Sequence, residues 1–164
     1  MHLIINLTSN RLLSYVFFQI WTYIEMNVHL KLDRNMRLIA TNALGQETPF
    51  DATPDIGGEN SAPTPMQVLL QSMVACTMMD ILSILRKRRK QIDDLQVEVS
   101  STRAESHPKV FTHVTMNFHL TSPDADSEDL TRALELSHKN YCSASAMFQR
   151  SGCTVEWTAV VEKG

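Results

Sequence analysis

The stretch that most constrains this chain is Pro65 to Arg88, PMQVLLQSMVACTMMDILSILRKR. Met66, Leu69, Leu70, Met73, Val74, Thr77, Ile81, Leu82 and Leu85 recur at spacings of three and four, the period of an α-helix. Pro65 suits the first helical turn, where its missing N–H costs nothing. The basic cluster Arg86 to Lys90 suits the negative end of the helix dipole. Ala75, Met78, Met79 and Ile84 carry apolar character around most of the circumference, so this helix must be buried by its own domain or by a partner. A cysteine, Cys76, sits at its middle. A buried cysteine is either a small core hydrophobe or a redox thiol, and the second role needs another thiol or a base close by.

The remaining segments supply a sheet to cover that helix. Val28–Leu32, Met36–Thr41 and Thr48–Ala52 read as strands. The following TPDIGGENSAPTP is a loop by its Pro, Gly, Ser and Asn content, of the kind that often carries substrate contacts. Leu95–Thr102 alternates apolar and polar, and Lys109–Thr121 does so more strongly. In the latter, Val110, Thr112, Val114, Met116, Phe118 and Leu120 fall on one face, with Phe111, His113 and His119 on the other. Ser127–Asn140 is predicted as a second helix with Ser127 as its N-cap. A short third helix is predicted after Asn140, and Thr154–Glu162 closes the domain as a strand. The order β-β-β-α-β-β-α-(α)-β, with strands in hairpins, predicts an α+β fold with a mostly antiparallel sheet. One small sheet cannot cover the long helix, which predicts a dimer with a shared core.

Residues 1–25 contain a short apolar run, Leu12 to Ile24, interrupted by Ser14, Gln19 and Thr22. It is too short for a comfortable membrane span and has no cleavage pattern, so we expect an extension, with the working domain at 26–164. A net charge of −3 gives no electrostatic reason to expect nucleic acid or an anionic membrane. Three cysteines make no disulfide framework and read as thiols of a reducing, cytoplasmic compartment.

Cys76 and Cys142 are the candidate pair. A thiol peroxidase needs one thiolate to attack the O–O bond and a second thiol to condense with the resulting sulfenic acid. Cys142 gains thiolate character if the third helix begins there. Cys153 is expected to be a packed core residue. His138 lies four residues before Cys142, which raises a metal site with Cys76, but no CxxC or HxxxH pair accompanies it and no metal is expected. The run Arg86–Lys90 is expected to be a solvated helix end. The methionines of the long helix read as adaptable core packing or as the lining of an apolar pocket.

PTPMQVLLQSMVACTMMDILSILRKRR, followed by strands, a helix and YCSASAMF, resembles the OsmC/Ohr family. The GGEN-x-x-P-x-P approach to the helix is most similar to its YhfA-like branch. The resemblance covers about Met26 to Val161. It implies an intertwined homodimer, with an antiparallel sheet wrapped around a long central helix and active sites at the subunit interface. It further implies Cys76 as the peroxidatic cysteine and Cys142 as the resolving one. The implied reaction is reduction of organic hydroperoxides with no cofactor, the oxidised site being restored by a dithiol such as a lipoylated protein or a small thiol. One departure stands out. The hydroperoxide-resistance members carry a glutamate just after the proline that opens the helix, paired with an arginine, and here that position is Met66. Arg37 or Arg34 can supply a cation from the early strands, and Glu59 an acid from the loop. Without a cationic neighbour a thiol on an apolar helix is sluggish, so a redox-sensing or ligand-binding protein with little turnover is the alternative. Met66 and Met73 are candidates for lining the substrate pocket.

Overall fold

The computed structural model describes residues 26–164, and the extension at 1–25 lies outside them. The described chain forms two compact units, one ending at Thr64 and one beginning at Pro65.

In the first unit β1 (Val28–Arg34), β2 (Arg37–Asn42) and β3 (Glu47–Phe50) make an antiparallel sheet in chain order. Asn35 takes the left-handed conformation at the β1–β2 turn, which Asn tolerates better than most residues. Val28, Leu30 and Leu32, the apolar face of β1, are all exposed in the single chain. After β3 the loop doubles back around Asp51, whose carboxylate accepts from the backbone N–H of Ala52 (2.8 Å), Glu59 (3.2 Å) and Ser61 (2.9 Å) and from Ser61 Oγ (2.7 Å). Gly58 packs so closely here that an added Cβ would lie 1.9 Å from the Ala52 carbonyl oxygen, which explains the glycine.

The second unit is built on α1 (Pro65–Lys87) and a sheet of β4 (Asp94–Arg103), β5 (Phe111–Thr121) and β6 (Thr154–Glu162), with β5 central. Strands β4 and β5 pair antiparallel, whereas β5 and β6 pair parallel. The crossover between β5 and β6 is α2 (Ser127–Leu136), a π-helical turn (Ser137–Tyr141) and α3 (Ser143–Arg150). One βαβ unit therefore sits within an otherwise antiparallel arrangement, because a parallel partner needs a long crossover and the two helices provide it. The register stacks Val97, Phe118 and Ala159 in one row and Val99, Met116 and Trp157 in the next. Met73, Val74, Ile81 and Leu85 of α1 join Val114, Met116, Phe118 and Leu120 of β5 and Leu130, Ala133 and Leu134 of α2 in a single core. By length and hydropathy α1 would pass for a membrane span, but this buried stripe makes it the core helix of the unit.

Four local expectations are corrected. A bulge lets Arg103 face Phe111 while Thr102 faces His113, so the inner face changes phase: Phe111 is buried and Val110 exposed. The N-cap of α2 is Asp126 rather than Ser127, because Asp126 accepts from the Asp129 N–H (2.9 Å) and its own N–H donates back to Asp129 (3.3 Å). The α-helix ends at Leu136, and the residues to Tyr141 take the wider π-helical turn. The basic run is not wholly solvated. Arg89 takes the left-handed conformation, and the Lys90 N–H bonds back to the Leu85 carbonyl (3.0 Å), closing the helix. Arg88 (2.9 Å) and Lys90 (2.7 Å) then both pair with the buried Asp129 carboxylate.

Candidate functional site

Cys76 lies in the middle of α1 and is half-buried. Cys142 lies at the N-cap of α3, immediately after the π-helical turn, and is 2% exposed. The structure brings them together: the two sulfurs and an Asp80 carboxylate oxygen all lie within 4.8 Å of one another. Asp80 follows Cys76 by one helical turn and so shares its face. Closing a disulfide of about 2.05 Å asks for less than roughly 3 Å of sulfur travel.

The surroundings of Cys142 are sparse in donors. The Ser145 N–H reaches its Sγ at 3.3 Å, the usual N-cap interaction with sulfur in place of oxygen. Thr77 Oγ1 lies 3.3 Å away and also donates to the Met73 carbonyl oxygen at 3.2 Å. Burial pushes the Cys142 thiol above its ordinary value; the Thr77 and Ser145 contacts oppose this, and the neighbouring Cys76 reinforces it. Around this centre, Ser137 Oγ donates to Asp80 Oδ2 (2.8 Å), and Ser145 Oγ lies 3.5 Å from His138 Nδ1. Burial, helped by Lys139, lowers the His138 pKa and keeps the ring neutral.

The other sequence candidates fall in different places. In the first unit Arg37 pairs with Asp33 (3.0 Å) and donates to Ser61 Oγ (2.8 Å). Glu59 binds Arg34 (3.0 Å) and Asn35 (2.5 Å). Met66 lines an apolar cavity of about 240 Å³ with Leu69, Val110, Phe111, Met147 and Phe148. The Met73 side chain is fully buried in the core, and it is its carbonyl oxygen that faces Thr77 and Cys142. Cys153 is buried in the same core, as expected of a packing residue. Sequence reasoning missed Thr77, Asp80, Ser137 and Ser145. One signal was available, since Asp80 is the only charged residue on α1 before Arg86.

Most of the chain is similar to known proteins. Protein YhfA of Escherichia coli K12 is 29% identical over 126 residues, covering 77% of this chain and 91% of the relative. The crystal structure of a hypothetical protein from Aquifex aeolicus superposes with a TM-score of 0.72 at 26% identity, over 85% of this chain and 99% of that one. An organic hydroperoxide resistance protein OsmC from Legionella pneumophila shares the fold, with a TM-score of 0.63 at 17% identity over 83% of this chain and 96% of that one. The family model described as OsmC-like protein matches residues 58–158, which include α1, β4, β5, the first half of β6 and both cysteines of the pair. The chain belongs to the OsmC-like protein family.

Proposed function

We propose that the chain reduces organic hydroperoxides through Cys76 and Cys142. The observation that carries this reading is the pairing of a half-exposed thiol with a buried one, both within 4.8 Å of each other. In the cycle, the Cys76 thiolate attacks the O–O bond of the hydroperoxide, forming a sulfenic acid, and the departing alkoxide takes a proton to leave as the alcohol. Cys142 displaces water from that sulfenic acid to give the Cys76–Cys142 disulfide. An external dithiol, a lipoylated protein or a small thiol, then exchanges with the disulfide and restores both thiols. The cavity lined by Met66 and Leu69 offers apolar surface for an alkyl tail, and a thiol-dependent reducing step suits a cytoplasmic setting. The fold shared with an organic hydroperoxide resistance protein supports the same substrate class.

A homodimer belongs to this reading. In the single chain the outer face of α1 leaves Leu69 and Met79 exposed, as β1 leaves Val28, Leu30 and Leu32, and a second copy would cover them.

The decisive experiment is stopped-flow oxidation of the reduced protein by cumene hydroperoxide and by hydrogen peroxide, with thiols counted before and after. The expected result is rapid loss of two thiols per chain, abolished in Cys76→Ser and stalled at a trappable sulfenic acid in Cys142→Ser. No loss at millimolar peroxide overturns the enzyme. It would favour the second reading, a redox-sensing or ligand-binding role. What favours that role is the set of groups on the page: Met66 stands where the family has its acid, and an Asp80 carboxylate lies beside the sulfurs.

A further inference from the structure

The proposed peroxide cycle does not use Asp80, although its carboxylate lies beside both sulfurs. Its presence on the apolar helix α1 therefore calls for a different explanation. The three donor atoms belong to elements fixed by other contacts. Cys76 and Asp80 are one turn apart on a 23-residue helix, and Cys142 is held at the N-cap of α3 by the Ser145 N–H. Ser137, itself fully buried, donates to Asp80 Oδ2 at 2.8 Å and orients the carboxylate, the kind of outer contact that metal ligands commonly have.

We propose that Cys76, Asp80 and Cys142 form a site for a borderline-soft divalent cation of the zinc type, which holds both thiols reduced and withdraws them from peroxide. Tetrahedral coordination with zinc–sulfur bonds of about 2.3 Å places two sulfurs roughly 3.8 Å apart, within reach of the 4.8 Å limit on the three atoms. Two sulfurs and one oxygen select zinc over magnesium or calcium, which want all-oxygen shells. Three protein ligands leave a fourth position for water, as in open zinc sites. Binding releases one proton from each thiol, breaks no other bond and transfers no electron. The metal cation offsets the charge that two thiolates and a carboxylate would otherwise concentrate in one half-buried place. The inference rests on the cluster's geometry and goes beyond the peroxidase reading, since it needs no turnover.

The test is titration of the reduced, full-length protein with cobalt(II), a spectroscopic stand-in for zinc, using a phosphine reductant so that no added thiol competes. One equivalent per chain should produce a thiolate-to-cobalt charge-transfer band and the intense visible bands of a tetrahedral ion, both lost on adding zinc. Cys76→Ser and Cys142→Ser should each weaken binding by at least about a hundred-fold, and Asp80→Asn by at least about ten-fold. Cys153→Ser should change nothing. Asp80→Asn keeps an oxygen acceptor for Ser137, and Asp80→Glu keeps the carboxylate, so the glutamate variant should bind within a few-fold of wild type. Absence of the charge-transfer band at one equivalent overturns the site. So does an affinity indifferent to Asp80→Asn, or a band retained when both Cys76 and Cys142 are serine. A failure of peroxide oxidation in the metal-free protein would remove the peroxidase reading and leave the cobalt result standing, so the two proposals fail separately.

Discussion

Asp51 and Cys142 are equally hidden from water, each 2% exposed, yet burial acts on them in opposite directions. Asp51 is met by three backbone N–H groups and a hydroxyl, and the Ser61 N–H and hydroxyl above all hold its pKa down to about 2 against the cost of burial. Cys142 has one N–H and one shared hydroxyl at sulfur distances, and burial prevails, raising its pKa. Burial alone does not decide whether a group is charged; the count and type of donors aimed at it does. The consequence follows in each place. A charged Asp51 clasps a loop, whereas Cys142 is held as a neutral thiol.

Removing the donors' target should have the largest effect. Asp51→Ala leaves the N–H groups of Ala52, Glu59 and Ser61 without their acceptor, and unmet buried backbone donors are not tolerated. We expect hydrogen-exchange protection of residues 52–61 to be lost outright, with a fall in Tm. The wild type carries a matching signature in acid. Because the folded pKa of Asp51 is depressed, its contribution is complete above the ordinary carboxylate value and disappears as the pH falls from about 4 towards about 2. In Asp51→Ala that step of the acid-unfolding profile should be missing. Retained protection in the variant would show that the loop is held by something other than its donors.

The next effect tests the opposite sign at Cys142. Resolution requires the thiolate, and a thiol whose pKa is raised is almost entirely protonated at neutral pH. Closure of the disulfide from the Cys76 sulfenic acid should therefore accelerate about ten-fold per pH unit from pH 6 to beyond pH 8, with no plateau in that range. A plateau below pH 8 would mean that Cys142 meets more stabilising donors than Thr77 and Ser145.

Much of this was legible in the sequence, and the limits have a physical pattern. The periods of α1, β4 and β6 survive into the structure because each element buries one uninterrupted stripe. The phase of β5 is readable only up to the bulge, since an extra residue at Thr112 moves Phe111 to the inner face without altering the local alternation. The parallel pairing of β6 is invisible, because one strand's pattern does not record its partner's direction. Spacing along α1 marks Cys76, Thr77 and Asp80 as neighbours, but nothing in it says that Cys142, 65 residues after Thr77, arrives on that face. The family resemblance supplied that pairing. Asp51 reads as an ordinary turn residue after a strand, since its donors come from eight and ten residues further on.

The smallest predicted effect is the sharpest probe of the donor count. Thr77 Oγ1 has a single hydrogen and two acceptors in range, the Met73 carbonyl oxygen at 3.2 Å and Cys142 Sγ at 3.3 Å. While Cys142 is a thiol, the hydroxyl satisfies Met73 and can accept the S–H in return. Once Cys142 is a thiolate, the hydrogen is better placed on sulfur, where the acceptor carries charge. Thr77→Val keeps the shape of the side chain and removes both options. The Cys142 pKa should rise by less than about one unit, and disulfide closure at fixed pH should slow by about three-fold, since one weak hydrogen bond is lost. Thr77→Ser, which keeps the hydroxyl, should behave as wild type. The pH dependence of Cys142 alkylation, followed by peptide mass spectrometry in a Cys76→Ser background, reads the shift directly. An unchanged profile in the valine variant would mean that the Ser145 N–H alone offsets burial, and that the hydroxyl belongs to the helix rather than to the site.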